Sequence, residues 1–507
     1  MQIMEQVSGE TLEIAARYSE RRIEERLSDV LTSYRSFTSA AWEPYEFFGL
    51  DEGMNDENAV RTEQKRQFLS GAIKNPNLNY PKLKTDAFIR EHEIAEQGIM
   101  ALGSQLDELT TESDRITVAQ ELPAQRHLEL MLLDISGRFA RKEVAEEDRQ
   151  AYVELFNSVN DELYGAVDIA RFAGLLQPVR RQALLVLSSP EPIAVVVREA
   201  AEYVLLNTGV ESDTVLAEPP LVIDDDTRQQ VREMFERYFA KPLSVIPSKA
   251  RGEKLTSQEF AQMFRDAHAL LDTGWGVATE PGKSTMDTRQ STRMTVIGDE
   301  RPLPDEAGAR GIFAHEFCIH VLRRYFGDQL GDPLLAGTGL AGYVPNEEGA
   351  GRIVQQVMDG KDKVPGSNYY ITLGLARGKD GDRMRDFRGV FELEWRRRLL
   401  EKYATNPMLP HDAVSKAKNA AYTTCLRIFR GTPCDEPGMV FAKDIGYYDG
   451  GQNMWPYFIE IAQLPLEEQK ARLDEFLTAK HDPLHPVQTR VVKKALARAA
   501  IDKTVEK

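Results

Sequence analysis

The run His315-Glu316-Phe317-Cys318-Ile319-His320 sets a carboxylate beside one of two imidazoles that stand five residues apart. Neutral imidazole is a good zinc ligand, and a glutamate next to a bound water can take its proton, so the trio has the parts of a hydrolytic metal site. With 8 histidines and 80 acidic residues in 507 positions, a His-acidic-x-x-x-His string is expected only ~0.02 times by chance. Coincidence is a poor explanation, and the residues point to a metal-dependent hydrolase.

The spacing poses a mechanical problem. The familiar helical arrangement places its histidines at i and i+4, whereas a regular α-helix would turn His315 and His320 about 140° apart. A π-bulge absorbs one extra residue and restores a common face. The sequence therefore predicts a wide turn between the two histidines.

Two imidazoles leave a catalytic zinc one protein ligand short. Glu347-Glu348-Gly349-Ala350 opens a predicted helix after a loop and offers two adjacent carboxylates, although acids at a helix start are also favoured by its dipole alone. Gly337-x-Gly339-x-x-Gly342 spells a dinucleotide fingerprint but lacks a β-α-β context, and reads instead as a tight loop that returns the chain towards the metal. His481 and His485 are four apart, but Pro483 lies between them and makes a turn the better reading.

The elements that must position these groups are mainly helical. Apolar residues recur at helical spacing from Glu10 to Phe37, from Arg126 to Phe139, from Asp148 to Tyr164 and from Pro192 to Leu206. The acidic stretch Gly49 to Ala59 reads as a linker. A helix ending near Leu271 precedes two strand-like stretches, Trp275 to Thr279 and Arg289 to Ile297, around a Pro-Gly turn. Helices are predicted from Asn346 to Asp359, through Tyr403, from Leu466 to Lys480, and in a basic tail. The expected fold is α+β, predominantly α-helical: a helical N-terminal half, then a metallopeptidase-like unit with a small sheet before the His315 helix. The expected division is a helical extension over 1–74, a metallopeptidase-like domain over 75–464 (mainly helical to 254, sheet and zinc-site helices from 255), and a helical tail over 465–507.

Bulk properties narrow the classes. A formal charge of −17 argues against nucleic acid as the main partner, since phosphate binding needs a basic surface. The stretch Arg377 to Lys402 is locally basic, and reads as a mixed, solvated helix face. Three cysteines, Cys318, Cys425 and Cys434, suit a reducing compartment better than a disulfide framework. No apolar run approaches a membrane span and no leader pattern opens the chain, so a cytoplasmic location without membrane partners is expected.

Longer strings match a known family. His315-Glu316-x-x-x-His320-Val321-Leu322-Arg323, then Gly337 to Tyr343, then Glu347-Glu348-Gly349 resemble the microtubule-associated tyrosine carboxypeptidases and their microbial relatives. Asn75-Pro76-x-x-x-Tyr80, Leu163-Tyr164-Gly165, Arg427-x-x-Arg430-Gly431 and Lys443-Asp444-x-x-Tyr447 extend the likeness over about Asn75 to Leu464. This chain departs in having Cys318-Ile319 for the family's Gly-Thr, Glu347 for Gln, and Ala350-Gly351 for Leu-Ala. The resemblance implies a single Zn²⁺ held by His315, His320 and Glu348, with Glu316 as general base and a peptide or protein C-terminus as substrate. An exopeptidase must grip a free carboxylate, for which Arg323, Arg427, Arg430 and Lys443 are the candidates, while Tyr447 is a candidate donor to an oxyanion or a half-buried packing residue. The residues alone stop at metal-dependent hydrolysis. They leave open an endopeptidase, an amidase, or a catalytically silent binding or regulatory protein on the same fold.

Overall fold

The computed structural model describes residues 22–33, 44–48, 55–109, 113–209, 215–283, 285–337, 339–361 and 364–505. The chain is predominantly helical, at 67% helix, with one small mixed sheet of three strands. No helix among the described residues is long and apolar enough to cross a membrane.

The long N-terminal helix is seen over 22–33, with Leu27, Val30 and Leu31 buried; the rest of the predicted span lies outside the described residues. The predicted linker is overturned in its second half, because Asn55–Ser70 is one helix. Its end carries Phe68 into the ring cluster of Phe387, Phe391 and Tyr422. The helical half follows the sequence pattern in Asp114–Arg141, Arg149–Tyr164, Ile169–Ser188 and Val195–Asn207.

The sheet comprises β1 (Gly276–Glu280), β2 (Met286–Arg289) and β3 (Met294–Gly298), in the order β1-β3-β2. β1 runs parallel to β3, and β2 antiparallel to it. The single strand expected from Arg289 to Ile297 is thus a hairpin instead, reversed at residues 290–293. That turn carries neither Gly nor Pro; Arg293 takes the left-handed conformation, at φ 52°, which a sequence pattern gives no cue for.

Behind β2 lie Glu306–Phe313, Ala314–Val321 and Leu322–Gln329, nearly continuous in sequence. The middle segment is a π-helix of 8 residues, the wide turn that the histidine spacing demands. Phe317, Cys318, Ile319 and Val321 are wholly buried around it, in an apolar core shared with Phe313, Ile353, Val354, Phe458 and Phe476. Such turns are rare and recur at functional sites, and here burial on nearly every side encloses the segment.

The helix Val344–Asp359 crosses Gly446–Ala462 at glycines. A Cβ on Gly349 would stand 2.1 Å from the Gly450 carbonyl carbon, and one on Gly450 would stand 1.9 Å from the Pro345 oxygen. This contact without side chains sets Glu348 and Tyr447, neighbours of those crossing points, on adjoining helices. The basic stretch predicted as a solvated face is different: Asp380, Arg385, Glu394 and Arg397 are buried as ion pairs. Acids three and four residues from arginines on one helix, such as Glu394 with Arg397 and Arg398, satisfy the charge internally.

The crossing makes a specific demand. Gly349→Ala is expected to lower unfolding free energy by about 1–3 kcal/mol through overpacking. Gly451→Ala, where nothing stands within 4 Å of the new methyl, should instead raise it by about 0.5–1 kcal/mol. Denaturant titration of the two variants checks the contrast.

Candidate metal centre

The π-turn brings the imidazoles together. His315 Nε2 and His320 Nε2 stand 3.1 Å apart, and Glu348 Oε2 lies 3.6 Å from the first and 3.7 Å from the second. One ligand atom from each of the three residues lies within 4.8 Å of the others. Tetrahedral zinc with bonds of about 2.0–2.1 Å separates its ligand atoms by about 3.3–3.4 Å, so the spacing fits such an ion.

The other ring nitrogens have their own acceptors. His315 Nδ1 lies 3.2 Å from Gln355 Oε1, and His320 Nδ1 lies 2.6 Å from Glu347 Oε1. With both Nδ1 atoms donating, each Nε2 presents a lone pair, and the two lone pairs face a carboxylate oxygen. Three converging donors call for a cation, and second ring nitrogens anchored on carboxylate and amide oxygens are the usual support of metal-bound histidine.

Glu347 therefore stands where an orienting acid would, and Glu348 where a ligand would, a distinction that spacing alone leaves open. Glu347 is 2% exposed and accepts from Arg323 Nη1 at 3.0 Å and Lys480 Nζ at 2.6 Å. Burial pushes its carboxyl up, but Lys480, the His320 hydrogen bond and Arg323 outweigh it and bring it down to about 2. Burial likewise acts to raise the Glu348 carboxyl, and the nearby His315, His320 and Lys443 reverse the effect, so it stays ionised. His320 is pushed down by burial and up by Glu347, Glu348 and Glu316, with a net rise.

Glu316, next to His315, accepts from the Thr288 hydroxyl at 2.7 Å, which ties the proposed base to β2. Gly351 lies one turn beyond the ligand: a Cβ there would meet His315 Nε2 at 2.9 Å and Cδ2 at 3.0 Å. The His315 ring thus occupies a cradle that any larger residue would fill. The glycines at 337, 339 and 342 all have positive φ and precede no β-α-β unit among the described residues, so they form a loop, pinned where Leu340 N donates to Lys480 O at 2.8 Å.

The four candidate carboxylate receptors are placed differently from one another. Arg323 is wholly buried beneath the site; it donates to Glu347, to the Phe476 carbonyl and to the His481 carbonyl. Arg427 grips Asp444 with two hydrogen bonds of 2.8 and 2.9 Å, and Arg430 donates to the same carboxylate at 2.8 Å. Lys443 lies on the Glu348 side, where its charge lowers that carboxyl. Tyr447 is also on that side; burial and then the Glu348 charge raise its phenol, so it stays protonated. His481 is wholly buried and pushed down to about 3, chiefly by burial, while His485 Nδ1 accepts from Gln488 N at the start of the last helix.

Gln355, Thr288 and Lys480 lie outside the residues that the sequence singles out, and Gly351 enters there only as a departure from the family pattern. Gln355 had a signal, since it follows Glu348 by seven residues and so shares its helix face; Lys480 had none, coming from a distant segment. Compared with models of known protein families, with curated proteins and with solved structures, the chain matches none.

Gly351→Ala is expected to weaken zinc binding by roughly 10–100-fold, the range for disturbing the support of a ligand. Competition with a chromophoric chelator reads the affinity. The melting temperature of the metal-free variant should stay near that of the parent.

Proposed function

We propose that this protein is a zinc-dependent metallocarboxypeptidase of the cytoplasm. The observation that carries the reading is the convergence of His315, His320 and Glu348 beside an accessory carboxylate, Glu316. The likeness of its motifs to the microtubule-associated tyrosine carboxypeptidases supplies the exopeptidase part, and a helical domain with a small sheet against the His315 helix suits a metallopeptidase.

When bound, Zn²⁺ acidifies a water and polarises the carbonyl it attacks. Glu316 accepts the proton of the attacking water and delivers it to the leaving nitrogen as the C–N bond breaks. The products are a shortened chain with a new carboxylate and a free amino acid. Thr288 fixes the Glu316 rotamer through its hydroxyl, and the protonated Tyr447 phenol donates to the negative oxygen that develops on the carbonyl.

β2 supplies a place for the substrate backbone. Gly298 N donates to Thr285 O, and in the antiparallel register the hydrogen-bonded residues alternate. Met286 and Thr288 then turn their backbone N–H and C=O away from β3, towards the open edge, where an extended peptide can add as a strand. The substrate is a peptide or protein C-terminus, with neither nucleic acid nor membrane involved.

Glu316→Gln should bind one zinc per chain like the parent and lose about 10²–10⁴-fold in turnover. Mass spectrometry of peptide mixtures identifies the product. Loss of single residues from free C-termini supports the reading; internal cleavage would make the protein an endopeptidase, side-chain or non-peptide amide hydrolysis an amidase. Partner capture without any hydrolysis by the zinc-loaded chain would make it a binding or regulatory protein.

A further inference from the structure

Arg352 stands four residues after Glu348 on the same helix, so it lies one turn along the metal-facing stripe, about 6 Å away. Its Nη1 donates to Gln355 Oε1 at 3.1 Å, the same oxygen that holds His315 Nδ1. Its guanidinium carbon sits 4.6 Å from the centre of the Tyr447 ring. An amide oxygen and an aromatic ring thus fix the guanidinium beside the ligand histidine.

The charge of Arg352 differs from that of the other arginines here. Arg323 is engaged by Glu347, and Arg427 and Arg430 share Asp444. Arg352 forms no ion pair with any described carboxylate; its contacts are Gln355 and Tyr447. A half-buried guanidinium that is held in place but not neutralised is a receptor for an anion. The substrate carries such an anion at the right distance: the carboxylate of a terminal residue is three bonds from the scissile carbonyl carbon, under ~4 Å. A group one helical turn from the metal can hold that carboxylate while the carbonyl is at the metal.

The geometry points to Arg352 as the residue that reads the substrate's terminal α-carboxylate, with Tyr447 and Gln355 as its supports. This rests on the peptidase reading above and replaces Arg323, Arg427 and Arg430 in that role, since each is already paired with a buried carboxylate of the protein. Arg352 is then what makes the site select chain ends: a peptide continuing past the scissile bond places a neutral amide against an unpaired guanidinium, which costs binding.

The test separates binding from turnover. Zinc-loaded Glu316→Gln chain is titrated calorimetrically with a tetrapeptide acid, its C-terminal amide, and an amide whose last residue is glutamate. The same three titrations are run on the Glu316→Gln/Arg352→Gln and Glu316→Gln/Arg352→Lys chains, with zinc content measured alongside. The expected result is a preference of roughly 10–150-fold for the acid over the amide in the first chain, lost with Arg352→Gln and partly restored with Arg352→Lys, at unchanged zinc content. The inference is overturned if the acid has no advantage in the first chain, if the advantage survives Arg352→Gln, or if the glutamyl amide binds as tightly as the acid, which would make Arg352 a reader of side chains. The peptidase reading itself stands or falls on turnover by the parent chain, so the two failures are distinguishable.

Discussion

The site depends on one irregularity of the backbone, the π-turn over Ala314–Val321. Without it His320 would point away from His315, and Glu348 would face a single imidazole. With it two Nε2 atoms stand 3.1 Å apart, at a separation that a shared cation relieves. A wide turn is rare in a helix, and the buried side chains of Phe317, Cys318, Ile319 and Val321 anchor this one in the core. The core is thus the reason that the ligands meet.

A second layer of polar groups fixes how they meet. Glu347 receives the His320 ring, the Arg323 guanidinium and the Lys480 ammonium in a buried cluster. Buried charges are tolerable only when paired and hydrogen-bonded, and here each satisfies the others. The cluster joins three stretches distant in sequence: the His315 helix, the Glu348 helix and the segment ending in Lys480. The predicted tail over 465–507 therefore contributes to the Glu347 cluster, through Lys480 and the His481 carbonyl.

The parts of this arrangement that were legible in the sequence are the local ones. His315, Glu316 and His320 announce themselves by residue type and spacing, and the five-residue interval required the wide turn that is seen. The helices with strong apolar periodicity, such as Arg149–Tyr164 and Ser257–Leu271, also lay open to inspection. Illegible were the features set by tertiary contact. The β2–β3 turn rests on a left-handed Arg293 rather than on Gly or Pro, and spacing alone leaves Glu347 and Glu348 equivalent, only the family resemblance pointing to Glu348. Arg323 looked like a substrate ligand because it follows the motif closely, yet the helix turns it inward to the Glu347 cluster.

The proposed function requires two imidazoles and one carboxylate to hold a zinc ion with a position left for water. X-ray absorption at the zinc edge of the metal-loaded chain tests it most directly. The expected spectrum is that of one zinc per chain in a shell of nitrogen and oxygen only, with two imidazoles and bonds of about 2.0–2.1 Å. Sulfur in the shell, for which Cys318 is the nearest source in sequence, or a zinc ion ringed by water alone, would contradict it.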